Sequence, residues 1–162
     1  MSNHLLKDPQ KRREELTSDN SPYFGGSACL LSLSFVLYYL ANKTEDFHSL
    51  FPHLEEQVAL LYEEDPLLYF YTSAPNLSEE DGAKASKFLD DYYDLFTRLD
   101  DLIVFTKERG RTFALSYLEE DRNFLKNILL DNLHAFSNRN DIPNILKEKV
   151  ASLSFQENLN HE

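Results

Sequence analysis

Residues Ser78–Gly110 read SEEDGAKASKFLDDYYDLFTRLDDLIVFTKERG, and their punctuation and periodicity specify one long amphipathic helix. Ser78 followed by Asp81 is an N-cap signature. Glu79 and Glu80 fill the first turn, where unsatisfied backbone N–H groups favour anions. The apolar positions are Ala85, Phe88, Leu89, Tyr92, Leu95, Phe96, Leu99, Leu102, Ile103 and Phe105. Their steps of three and four keep them on one stripe of a 3.6-residue period, so one face is buried along the whole length. Asp90, Asp91, Asp94, Asp101 and Lys107 fall mostly off that stripe. Gly110 is the stop.

A second stripe begins at once. From Thr112 to about Phe136 it runs through Phe113, Tyr117, Leu118, Phe124, Leu125, Ile128, Leu129, Leu133 and Phe136, with a kink or break expected at Glu119–Asp121. So short a connection makes 79–109 and 112–136 an antiparallel pair. Upstream, Ser27–Ala41 is an apolar core helix, and Thr44 is placed to cap a short helix ending near Phe51. A helix is expected over His53–Tyr62, and Pro66 is expected to open a separate segment through Phe70. Downstream, Pro143 suits a first helical turn, and the last helix is expected to bury Ile145, Leu146, Val150 and Leu153. A short helix over Asp8 or Pro9 to Leu16 completes the set.

The chain has four Gly and six Pro in 162 residues, few for a protein built from tight turns. No strand-like alternation and no internal repeat appears. The expected architecture is all-α: a single-domain helical bundle around a central antiparallel pair of long helices. A polar arm and turn region (1–26) precedes the helical domain (27–155), and a tail (156–162) follows.

Charge is unevenly placed. Between Glu45 and Asp101 lie 15 acidic residues and three basic ones, Lys84, Lys87 and Arg98, so this stretch carries the whole net charge of −12. Nucleic acids and anionic membrane surfaces attract basic faces, so neither is an expected partner. A protein partner, favourably a basic one, is. The longest apolar run, Ala28–Ala41, falls short of the roughly 20 residues that cross a bilayer. The expected location is the cytoplasm, or a host cytosol for a secreted protein.

Three groups of residues have the makings of chemistry; one is Lys107-Glu108-Arg109-Gly110-Arg111 at the hairpin turn, where cations offset a helix C-terminal dipole or would meet a phosphate or acidic peptide. Gly25-Gly26-Ser27-Ala28-Cys29 opens the core helix, and a thiol in a first turn sits near the positive end of the helix dipole, which favours the nucleophilic thiolate. Residues 25–54 resemble the Gly-Gly-x-Cys helix segment of Legionella- and Coxiella-type secreted effectors of the papain-like class. That resemblance implies Cys29 as nucleophile of a cysteine hydrolase or transferase, with His48, His53 and His134 as the available bases. Here two residues separate Gly26 from Cys29, where the pattern has one. Asp90, Asp91 and Asp94 have the D-D-x-x-D spacing by which isoprenoid synthases hold a metal diphosphate, and oxygen ligands so placed suit Mg²⁺. The alternative is the wet face of an amphipathic helix. No phosphate loop, nucleophile elbow or zinc-binding helix occurs, and no cofactor is expected.

Twelve Phe and nine Tyr make 13% of the chain aromatic, more than one small core readily hides. Tyrosine in acidic surroundings is a composition that interfaces favour. The residues expected to meet a partner are Glu63, Glu64, Asp65, Tyr69, Tyr71, Asp90, Asp91 and Asp94. The functional expectation is a non-enzymatic helical interaction module, a bacterial effector or adaptor. The alternatives are the Cys29 enzyme and a purely homo-oligomeric structural domain.

Overall fold

The computed structural model describes residues 27–160. The expected 1–26 arm and its helix, and the Gly25-Gly26 pair, lie outside them. Six helices occur in this span, with no strand among the described residues: α1 (Ser27–Lys43), α2 (Phe47–Leu50), α3 (Leu54–Ser73), α4 (Glu79–Glu108), α5 (Thr112–Ser137) and α6 (Asn144–Asn160). The last helix continues beyond residue 155, where a tail was expected.

The central pair forms as its sequence requires. Ser78 has extended backbone angles, and its hydroxyl accepts from Asp81 N–H at 3.1 Å. At the far end Gly110 adopts φ +67°, a left-handed conformation that glycine enters without a Cβ penalty. Arg111 N–H then donates to Thr106 O and Gly110 N–H to Lys107 O, both at 3.1 Å, which closes the paired bonds of a Schellman motif. The chain turns there, and α5 starts two residues later. Phe88, Leu89, Tyr92, Leu95, Leu99, Leu102 and Phe105 of α4 are buried, as are Tyr117, Leu118, Leu125, Leu129, Leu133 and Phe136 of α5.

The other helices cover this pair. The core helix α1 packs against α3 and α5, while α4 also takes α3 and α6. Leu30, Leu33, Leu37 and Leu40 of α1 are wholly buried. Phe51, just after α2, meets Phe105 edge-on at 5.2 Å between centroids. The N-cap position of the short helix α2 is Asp46 and not Thr44, and the Asp46 side chain makes no capping bond.

Two expected interruptions are absent. Pro66 lies inside α3, and α5 runs unbroken through Glu119–Asp121. Proline lacks an N–H and crowds the preceding turn, so it normally ends a helix. In α3 the ring is on the exposed side, while Leu54, Val58, Leu61, Asp65, Leu68 and Tyr71 form a buried row that passes it on both sides. Tertiary burial outweighs the local preference. Among the described side chains of α6, Leu146, Val150 and Leu153 are buried. Ile145, expected inside, is 48% exposed.

One close approach sets the α4–α6 distance. Pro143 immediately precedes α6, and its carbonyl accepts from Leu146 and Lys147 N–H at 3.0 Å each. Its ring lies over Gly82 so closely that a Cβ on Gly82 would stand 2.6 Å from Pro143 Cγ. Gly→Ala inside a helix ordinarily stabilises by about 1 kcal/mol. Here overpacking, typically about 1–3 kcal/mol, outweighs that gain. Gly82→Ala is therefore expected to lower the urea midpoint with an unchanged m-value, and a midpoint raised by the substitution would contradict this packing.

Candidate functional site

The acidic stretch of the sequence becomes α3 and the first half of α4. The 20 residues of α3 include four Glu and one Asp and no Lys, Arg or His. Because α3 is continuous, Leu60, Glu63, Leu67 and Phe70 fall on one side of it, with Pro66 beside them. All are exposed; Tyr69 is exposed too, but the register turns it about 100° away from Phe70 and off the row. Leu60, Leu67 and Phe70 are 44%, 47% and 57% accessible, a high value for large apolar side chains so close together.

Along the α3–α4 seam the polar side chains interlock. Gln57 Nε2 donates to Asp94 Oδ2 at 2.8 Å, and Arg98 Nη1 donates to Gln57 Oε1 at 2.8 Å. Arg98 Nη2 also donates to Pro52 O at 3.0 Å. A depression of about 250 Å³ opens beside this network, lined by His53, Glu56, Gln57, Leu60, Leu61, Lys87 and Asp91. Lys87 Nζ donates to Asp91 Oδ2 at 2.8 Å.

Two residues expected on a partner-facing surface are not there. Asp65 and Tyr71 are buried, 3% and 5% accessible. Both belong to the inward row of α3, four and three residues from Leu61 and Leu68, and the continuous register turns them into the bundle. Tyr71 stacks on Phe88 with centroids 6.1 Å apart. Asp65 Oδ1 accepts from the Tyr92 hydroxyl of α4. Glu63 is exposed and Glu64 half-buried; Asp90 and Asp94 are exposed and Asp91 half-buried.

Asp65 and Tyr92 belong to a buried polar cluster. Ser32 Oγ of α1 donates to Asp121 Oδ2 of α5 at 2.7 Å, and Cys29 Sγ donates to Asp121 O at 3.2 Å. Four helices thus each contribute to it. Burial first, and then the Asp65 carboxylate, push the Tyr92 hydroxyl well above the ordinary tyrosine range and keep it a donor. Such a network fixes helix register, because only one arrangement satisfies its members.

Cys29 is 4% accessible and forms no disulfide. His48 and His53 are exposed and engage Glu55 at 2.8 Å and Glu56 at 2.9 Å, and His134 engages Asn138 at 3.2 Å. No described histidine bonds to the thiol. The three aspartates of the D-D-x-x-D group diverge: Asp90 pairs with Lys149 of α6 at 2.7 Å, Asp91 with Lys87, and Asp94 with Gln57. No group of three His, Cys, Asp or Glu among the described residues is placed to hold a metal ion. No described helix is long and apolar enough to cross a membrane.

Splitting α3 at Pro66 hides the exposed row, since Leu60 and Leu67 share a side only if the helix continues between them. Asp121 also had a readable signal: it stands three residues past Leu118 and four before Leu125, in step with the buried stripe. The chain matches no known family model, no characterised protein and no solved structure.

Proposed function

We propose that the protein is a helical interaction module that presents the outer face of α3, with the adjoining edge of α4, to a protein partner. The observation that carries this reading is the exposed row Leu60, Leu67 and Phe70 set in a helix with no basic residue. Apolar side chains gain by leaving water, at about 25 cal/mol per Å², and the bundle leaves about half of each of these uncovered. Glu63 within the row and the α4 residues Asp91, beside Leu60, and Asp94, bonded to Gln57, border it with acidic groups, an arrangement that suits the core and rim of an interface. Asp65 and Tyr71 support this face from behind by fixing the rotation of α3. Such a module fits an adaptor, and the resemblance of residues 25–54 extends the proposal to a bacterial effector.

The test is capture of partners by the tagged full chain from cell lysate at low salt, beside a Glu63→Lys/Leu67→Ser variant. Both positions are exposed, so the variant is expected to fold with unchanged helicity. The expected result is a stoichiometric protein that the variant does not retain and that a salt wash weakens, because exposed charges are screened within about 8 Å at physiological ionic strength. Equal capture by both proteins would refute the assignment of this face.

A further inference from the structure

We propose that the occupant of the α3 face is a basic amphipathic helix of the partner protein, laid along the row Leu60–Leu67–Phe70 and the depression beside Leu60. This rests on the function proposed above and names its partner class. The row extends about 15 Å along the helix axis at 1.5 Å per residue. An amphipathic helix covers a row of that length with anchors at i, i+3 or i+4, and i+7.

Charge selects the sign of the partner. Glu63 lies between Leu60 and Leu67, and Glu56 and Glu64 stand on either side of Leu60 in the sequence. A carboxylate oxygen of Glu64 is buried and accepts no hydrogen bond among the described residues. The lysine lining the depression is committed, Lys87 to Asp91 at 2.8 Å, and His53 already engages Glu56 at 2.9 Å. The rim is left negative, and lysine or arginine flanking an apolar stripe would complement it.

The same charges disfavour a second copy of the chain. A two-fold pairing of this row would centre between Glu63 and Leu67 and leave the two Glu63 carboxylates offset by only about 6 Å along the axis, within the range of their repulsion. Like charges facing each other suppress association, whereas a basic helix meets no such opposition.

The probe is a fluorescein-labelled helical peptide of Leu and Lys, with Leu at i, i+3, i+4 and i+7, compared with the same peptide carrying Glu for Lys. Fluorescence anisotropy is read on the full chain and on three variants: Leu67→Ser/Phe70→Ser, Glu63→Lys, and Glu119→Lys, an exposed position on α5 outside the row. The Leu/Lys peptide is expected to bind, to weaken about tenfold in the double variant and about fivefold in Glu63→Lys, and to be unaffected by Glu119→Lys. The Leu/Glu peptide is expected not to bind. Absence of Leu/Lys binding overturns the proposal, and so does an equal loss in Glu119→Lys, which would mark unspecific attraction. A wild-type dimer in sedimentation that the double variant dissociates would make the second copy the occupant and overturn it too. Should the peptide fail while the cellular partner still requires Glu63 and Leu67, the basic helix is wrong and the interaction face survives.

Discussion

Tyr92→Phe is expected to destabilise the protein by about 2–4 kcal/mol while leaving its helices intact. The substitution conserves the ring and its packing, so almost no cavity is created. What it removes is the hydroxyl that donates to Asp65 Oδ1 between α3 and α4. Asp65 is 3% accessible, so water cannot readily replace the donor. Taking one partner from a buried charge-assisted hydrogen bond costs the desolvation of the group left behind. Asp65→Asn keeps an acceptor without the full charge and is expected to cost less.

The pH dependence gives this pair a signature. Tyr92 is raised in the folded state, by burial and then by the Asp65 carboxylate, whereas in the unfolded chain it titrates near the ordinary value of about 10. Above that pH the unfolded state sheds a proton that the folded state retains, so the contribution of Tyr92 is complete below about pH 10 and declines above it. The slope for one proton is about 1.4 kcal/mol per pH unit. The stability gap between wild type and Tyr92→Phe should therefore stay level from neutral pH to about 10 and narrow beyond. A gap under about 0.5 kcal/mol at neutral pH in urea titrations, or one that never narrows, would contradict the buried pair.

Tyr92 was legible as a buried position because its place in the α4 stripe follows from spacing alone. Its partner was not. Asp65 precedes a proline, and a local rule that ends helices at proline removes it from any register. Only the packing of α3 against α1 and α4 carries the helix past Pro66 and turns Asp65 inward. That one misplaced break also put Tyr71 on the surface and left Leu60 out of the row with Leu67. The hairpin of α4 and α5 was readable because cap, stripe and stop agreed over more than fifty residues. The acidic imbalance named the right region for a surface but not its apolar centre, since composition has no direction. The buried cluster of Ser32, Asp121 and Cys29 depends on residues about ninety positions apart in sequence, a pairing that no local pattern encodes.

Arg139→Ala is expected to cost about 3 kcal/mol and to loosen the end of α3 that carries Phe70. Arg139 follows α5, yet its side chain reaches the C-terminus of α3. Nη1 donates to Tyr71 O at 2.9 Å and to Thr72 O at 3.2 Å, and Nη2 donates to Ala74 O. These carbonyls belong to the final turn and cap of α3, where no intrahelical N–H remains for them and the dipole is negative. The other edge of the guanidinium grips Asp141, from Nε to Oδ1 at 2.8 Å and from Nη2 to Oδ2 at 2.7 Å. Asp141 Oδ2 also accepts from Asn76 N–H at 3.1 Å, so one arginine ties together the ends of two helices and the loop between α3 and α4. Removing it strands several carbonyls at once, and charge-assisted hydrogen bonds of this kind are worth about 1.5–3 kcal/mol each before relaxation and rehydration. Arg139→Lys should recover only part of the loss, because an ammonium lacks the planar fork that serves both edges. Acid supplies an independent check. Arg139, and next the Asn76 N–H, hold the Asp141 carboxyl below the usual carboxylate range. Its contribution is present above the unfolded value of about 4 and is lost as pH falls through the lower folded value. Wild type should thus lose stability below about pH 4 more steeply than Arg139→Ala. Hydrogen exchange should show the amides of residues 70–74 opening faster in the variant at neutral pH. Unchanged exchange there, with parallel acid profiles, would mean that α3 ends on its own and that Arg139 decorates a terminus it does not hold.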